Sequence, residues 1–75
     1  MKETKYYVVA ELKGKADYFK ERIDNEKDMI EIYKKHVLPL DKEKGEKEIF
    51  RCECRIEAFQ DALETMERSI KIWEE

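Results

Sequence analysis

The sequence predicts an all-α protein, an antiparallel helical hairpin that is coiled-coil-like and dimerises into a four-helix bundle. Charged residues make up 47% of the 75 positions, with only two glycines and one proline, a composition typical of long helices. Apolar residues recur at alternating spacings of three and four in both halves, which is the heptad pattern of helices packed along a seam. The proline and one glycine fall near the middle of the chain. We therefore predict one helical-hairpin domain over residues 1–75.

The first predicted helix, helix 1, covers about residues 5–38. Its seam positions keep a strict three–four spacing, and the carboxylate of Glu26 is the one charged interruption. Pro39 ends the helix, because proline disfavours helical geometry at the preceding residue and lacks a donor N–H. The seam positions of helix 1 are Val9, Leu12, Ala16, Phe19, Ile23, Glu26, Ile30, Tyr33 and Val37.

A turn is predicted over about residues 39–45, followed by helix 2 over about residues 46–74. Asp41 can cap the element that follows it through its side-chain oxygen. Gly45 belongs either to the turn or to the first positions of helix 2, and helix propensity alone leaves both open. The seam positions of helix 2 are Ile49, Cys52, Ile56, Phe59, Leu63, Met66, Ile70 and Trp73.

One flank of the predicted hairpin, here called the e side, brings together the heptad e positions of both helices. Helix 1 supplies lysines, and helix 2 supplies glutamates and one glutamine. An exposed lysine–glutamate pair, or rung of this ladder of charges, contributes only about 0–1 kcal/mol to stability. The main effect of these charges is therefore to disfavour a parallel pairing of two identical helices. A slip of one heptad still sets lysine against glutamate or glutamine, so the loop must fix the register. The predicted rungs are Lys13–Glu74, Lys20–Glu67, Lys27–Gln60 and Lys34–Glu53.

The opposite flank, the g side, is mostly uncharged. Small side chains of helix 2 allow another helix to approach closely, and larger side chains of helix 1 can fill the gaps. Two helices alone make a thin core, so we expect this side to be buried in a homodimer or against another partner. The alternative is a mildly apolar, exposed flank of a monomer. The predicted interface residues are Tyr18, Met29, Ile32, Ala58, Ala62, Thr65, Ser69 and Ile72.

The back of helix 1 carries a stripe of carboxylates at helical spacing. The simpler interpretation is a solvated face that keeps the protein in solution. The sharper hypothesis is a docking surface for a basic partner, or a mimic of the phosphate spacing of nucleic acid. The residues of this acidic stripe are Asp17, Glu21, Asp24, Asp28 and Glu31.

Few residues offer chemistry. Cys52 and Cys54 point about 160° apart on a helix and cannot chelate one metal ion, so we expect Cys52 in the core and Cys54 at the surface. Because a carboxylate in a core is costly unless paired, Glu26 is expected to reach Gln60 or a charge from a second subunit, such as Arg22 or Arg55. We predict no catalytic residue, no metal site and no cofactor.

The net charge of −3 disfavours nucleic-acid binding, which needs concentrated positive charge. The chain lacks an apolar run that could span a bilayer or serve as a signal peptide, so we expect a cytoplasmic protein. The leading functional hypothesis is a small non-enzymatic interaction protein that binds and inhibits or modulates a larger protein, as bacterial or phage accessory regulators do. One alternative is an acidic decoy that mimics nucleic acid for a basic partner. Another is an RNA-binding hairpin dimer that uses Arg51, Arg55 and Lys47.

Overall fold

The computed structural model describes residues 2–75; for Lys2 it describes the backbone alone. Met1, the first residue of the predicted domain, lies outside the described residues. The chain forms helix α1 (Lys2–Ile32), one turn of π-helix (Tyr33–Val37) and helix α2 (Lys42–Glu74). Residues 2–75 contain no strand. The helices lie side by side in a rod of 58 × 14 × 12 Å. The predicted all-α helical hairpin is therefore confirmed.

The π-helical turn carries the chain from α1 into the connection. The Leu38 N–H donates to the carbonyl of Tyr33 at 2.9 Å, five residues back, so this turn holds one residue more than an α-helical turn. The N–H groups of Leu40 and Asp41 then both donate to the carbonyl of Val37, at 3.0 and 2.8 Å. These bonds satisfy carbonyls at the helix end and place Pro39 in the turn, where its missing N–H costs nothing.

Helix α2 begins at Lys42, about four residues before the predicted start. Asp41 is its N-cap, as expected, and accepts a hydrogen bond from the Lys44 N–H at 3.1 Å. Gly45 is therefore a residue of the first turn of α2, and it is buried. A Cβ atom at Gly45 would lie 2.6 Å from Cδ2 of Leu38. The absence of a side chain thus allows the two helices to approach each other directly at the turn.

The core between the two helices is thin. The buried apolar side chains are Ala16, Ile23 and Cys52, and most other seam positions are only partly covered. The rings of Phe19 and Phe59 meet across the seam with centroids 6.1 Å apart. Each helix can cover only one face of the other, so a two-helix rod leaves much apolar surface in contact with water. No helix within residues 2–75 has an apolar stretch that could cross a membrane.

Of the predicted rungs of the lysine–glutamate ladder on the e side, the one farthest from the turn forms an ion pair. Lys13 Nζ lies 2.9 Å from Glu74 Oε1, which confirms the predicted register at this rung. Lys34 instead pairs with Glu31 on its own helix at 3.9 Å. In the part of the chain that the structure describes, no ion pair closes the Lys20–Glu67 or Lys34–Glu53 rung within 4 Å.

We expect the Lys13–Glu74 rung to contribute little to stability. Both side chains are about half exposed, so Lys13→Glu should lower the free energy of unfolding by no more than about 1 kcal/mol. Urea denaturation at low and high salt measures this, with the swapped double variant Lys13→Glu/Glu74→Lys as the control. A loss well above that value, restored by the swap, would show that the ladder stabilises the fold.

Candidate functional site

The g side carries exposed large apolar side chains along the length of the hairpin; others are exposed elsewhere, among them Tyr7, Leu40 and Phe50. Tyr18 is 56% exposed and Ile72 is 70% exposed, and Met29 and Ile32 are also exposed. The smaller predicted interface residues are exposed or partly covered: Ala58, Ala62, Thr65 and Ser69. All eight predicted interface residues are therefore accessible on a single hairpin, while their contact with another chain stays a prediction.

A charged cluster, here called the arginine cluster, lies near the middle of the g side. It comprises Arg22, Glu26 and Arg55. The Glu26 side chain is only 8% exposed, and its Oε1 lies 3.0 Å from Arg55 Nε and 3.8 Å from Arg22 Nη2. Glu26 was expected to reach Gln60 or a charge from a second subunit; the structure pairs it instead with two arginines of its own chain. Arg55 is long enough to reach Glu26 from the facing helix.

The two guanidinium groups of the arginine cluster share one oxygen of one carboxylate. Within residues 2–75, the buried Glu26 Oε2 and Arg22 Nε have no hydrogen-bond partner. Arg22 also lies over the ring of Phe59, with Cζ 5.6 Å from the centroid, a distance at which a cation is attracted to the ring. Two positive groups and one negative group leave a net charge of +1 near the middle of a mostly uncharged side.

Cys52 lies directly beneath the arginine cluster and is fully buried, as predicted, whereas Cys54 is exposed. The Arg55 guanidinium donates from Nη2 to Cys52 Sγ at 3.3 Å. Burial, followed by the neighbouring Glu26 carboxylate, raises the pKa of the Cys52 thiol. A thiol whose pKa is raised stays protonated and unreactive at neutral pH, so Cys52 acts as a small core side chain.

This shift of the Cys52 pKa predicts a loss of stability at alkaline pH. The pKa in the folded state is raised above the unfolded value of about 9, so the stabilisation is complete below that value and is lost as pH rises through the folded pKa. Above pH 9, the free energy of unfolding should fall more steeply with pH for the wild type than for Cys52→Ala, by at most about 1.4 kcal/mol per pH unit for one proton. Parallel curves for the two proteins would contradict the prediction.

The acidic stripe is exposed along its whole length. Of its five carboxylates, Glu31 pairs with Lys34 at 3.9 Å, and the other four have no ion pair within 4 Å inside residues 2–75. The stripe is thus accessible and largely unneutralised, and its role stays a prediction.

The predicted RNA contacts are partly neutralised. Arg51 lies 2.9 Å from Glu48, and Arg55 is held by Glu26. Lys47 is exposed. Two of the three positive groups therefore already have an acidic partner in the chain, which weakens the positive field that RNA binding needs.

An open groove of about 640 Å³ lies on the e side, near the open end of the hairpin. Its floor includes Ala16 and Ile70, and its rim carries charges of both signs, among them Lys20 and Glu67. A rim of mixed sign selects neither anions nor cations. In the described part of the chain, no three His, Cys, Asp or Glu side chains converge as metal ligands do.

Sequence reasoning named the apolar residues of the g side, and it named Arg22 and Arg55 as possible partners of Glu26, but it assigned these arginines to a second subunit. Arg22 and Glu26 are four residues apart on one helix, a spacing at which opposite charges meet. The contact from Arg55 depends on the register of the hairpin, which the ladder alone left open. Comparisons with protein-family models, curated proteins and solved structures found no significant match to this chain.

Proposed function

We propose that this chain is a small, non-enzymatic, cytoplasmic interaction protein that binds and modulates a larger protein through its g side. The observation that carries the proposal is the exposure of Tyr18, Met29, Ile32 and Ile72 along this side. Exposed aromatic and apolar side chains at helical spacing are typical of helices that dock against another helix.

The total exposed surface of the hairpin is large enough to accommodate a partner. The accessible area is 6,048 Å², about 1,100 Å² more than the area of about 4,900 Å² expected for a compact monomer of 9.2 kDa. A stable interface covers about 800 Å² on each partner. The excess is therefore large enough for one standard interface.

For the free protein, we propose that a second copy is the occupant, which makes a homodimeric four-helix bundle. The large side chains of α1 and the small side chains of α2 are suited to packing against each other across such an interface. Sedimentation of the purified protein at micromolar concentration should give twice the 9.2 kDa of one chain. Ala62→Glu, which places a charge on the g side, should give the monomer. A compact wild-type monomer would remove the dimer.

Binding to a larger protein is tested by pulldown from the native host with the wild type and with Tyr18→Asp. Proteins captured by the wild type and lost with Tyr18→Asp are partners of the g side. The exposed control Gln60→Glu changes the charge of the e side and should capture the same proteins. Capture that is indifferent to Tyr18→Asp would move the contact away from the g side.

The second candidate function is an acidic decoy for a basic nucleic-acid-binding protein. It is favoured by the four stripe carboxylates without an ion pair within 4 Å in residues 2–75. Replacing Asp17, Glu21, Asp24 and Asp28 by the corresponding amides should leave the helical circular dichroism unchanged and abolish binding to a basic partner. Binding that survives both this change and high salt would exclude the decoy.

A further inference from the structure

We infer that the arginine cluster is a carboxylate-binding site, and that its occupant is an amphipathic helix of another protein with an Asp or Glu between apolar side chains. This inference rests on the proposed function of the g side as a contact surface. It adds the chemistry that the occupant must bring to the middle of that surface.

The arginine cluster keeps a net positive charge and has guanidinium N–H donors that Glu26 does not use. Arg22 and Arg55 converge on the same oxygen of Glu26, and within residues 2–75 no second carboxylate lies within 4 Å of either guanidinium. Their side chains remain 41% and 46% exposed. A guanidinium group has five donors in a planar fork that matches a carboxylate. A carboxylate from outside can therefore use donors that Glu26 leaves free and neutralise the remaining positive charge.

The side chains on either side of the arginine cluster indicate which residues the bound helix must carry next to its carboxylate. Tyr18 lies four residues before Arg22, and Met29 lies three residues after Glu26, so both share a helical side with the cluster. Both are exposed. A bound helix that crosses the arginine cluster and contacts both Tyr18 and Met29 would carry apolar residues about one turn before and one turn after its carboxylate. This is the spacing of the anchor residues in helices that bind in grooves.

A second copy of this chain does not supply the missing carboxylate. Pairing two g sides brings two clusters, each with a charge of +1, to one interface. The other acidic residues at g-side heptad positions are engaged: Glu11 with Lys15 at 3.6 Å, and Glu48 with Arg51 at 2.9 Å. Burying unmatched charge is costly. The homodimer is therefore the weaker state, and a helix with a carboxylate displaces one copy from it.

The test begins with a phage-displayed library of helical peptides in which one face is randomised, selected on the full-length protein. We expect the selected peptides to carry Asp or Glu at one position, flanked at spacings of three and four by apolar residues. They should lose binding to Tyr18→Asp. Peptides that bind the g side without acidic enrichment would overturn this inference and leave the proposed function standing. Peptides indifferent to Tyr18→Asp, or no binders at all, would overturn both.

A double-mutant cycle then tests for direct contact. The peptide acid is changed to its amide and Arg22 to Gln, a change that keeps the Arg55–Glu26 pair; circular dichroism checks the fold. On the wild type, the amide peptide should bind at least about tenfold more weakly, as expected for a lost hydrogen bond between charged groups. On Arg22→Gln, the two peptides should bind almost equally. Equal losses on both proteins would show that the acid does not contact Arg22.

Discussion

Replacing Glu26 by leucine should stabilise the hairpin. The carboxylate is buried at a seam position, and one of its oxygens has no hydrogen-bond partner within residues 2–75. Burying an ion costs more than an imperfect pairing returns, and apolar replacements of buried ion pairs are often neutral or more stable by about 1–4 kcal/mol. Arg22 and Arg55 are about half exposed and can turn into water. Urea denaturation at one fixed protein concentration should show a higher midpoint for Glu26→Leu.

The amide variant Glu26→Gln serves as the control, because it keeps the side-chain size and removes the charge. We expect its stability to lie below that of Glu26→Leu, since the amide still buries polar atoms. A lower unfolding midpoint for Glu26→Leu than for the wild type would contradict the prediction and make the ion cluster a net source of stability. A buried polar residue can also specify one pairing of helices, so Glu26→Leu should broaden the distribution of oligomers in sedimentation.

The same substitution at the two glycines should have opposite effects. At Gly14, a Cβ atom meets nothing within 4 Å, so Gly14→Ala should gain about 1 kcal/mol from helix propensity. At Gly45, the Cβ would lie 2.6 Å from Leu38 Cδ2 and 3.0 Å from its Cα, so the backbone itself must shift. Overpacking of this kind costs about 1–3 kcal/mol, which is at least as large as the propensity gain.

Thermal unfolding measures both glycine variants on one scale. In a chain of this size, 1 kcal/mol shifts Tm by about 4–8 °C, so Gly14→Ala should raise Tm and Gly45→Ala should lower it. Each variant is the matched control of the other, because the chemical change is identical. A rise of Tm in Gly45→Ala as large as that in Gly14→Ala would mean that the turn relaxes without cost.

The heptad pattern was sufficient to predict two antiparallel helices, because apolar side chains at that spacing can be covered together only along one seam. Cys52 and Asp41 were correctly placed for local reasons, a seam position and a capping side chain. The start of α2 was predicted too late because Gly45 has poor helix propensity. The close approach to Leu38, a tertiary contact, outweighs that propensity.

The candidate site was only partly predictable. The exposed apolar residues of the g side follow from helical periodicity, which assigns Tyr18 and Ile72 to one flank. The pairing of Glu26 with Arg55 depends on which residues face each other and on the reach of a long side chain, and a heptad diagram contains neither. The ladder closes at Lys13 but not at Lys34 because Glu31, one turn away on the same helix, is the partner of Lys34.

The tight turn has a consequence for the order in which the hairpin folds. Contact between Leu38 and Gly45 closes a loop of only a few residues, whereas the Lys13–Glu74 pair encloses about 60, and each doubling of loop length adds about 0.6 kcal/mol to the entropic cost of closure. The two helices should therefore zip from the turn toward the termini. Amide hydrogen exchange should then be slowest beside the turn and fastest at the opposite end of the rod, where the aromatic side chains of Tyr6, Tyr7 and Trp73 are exposed. The aromatic end of the rod is the last to close and the first to open.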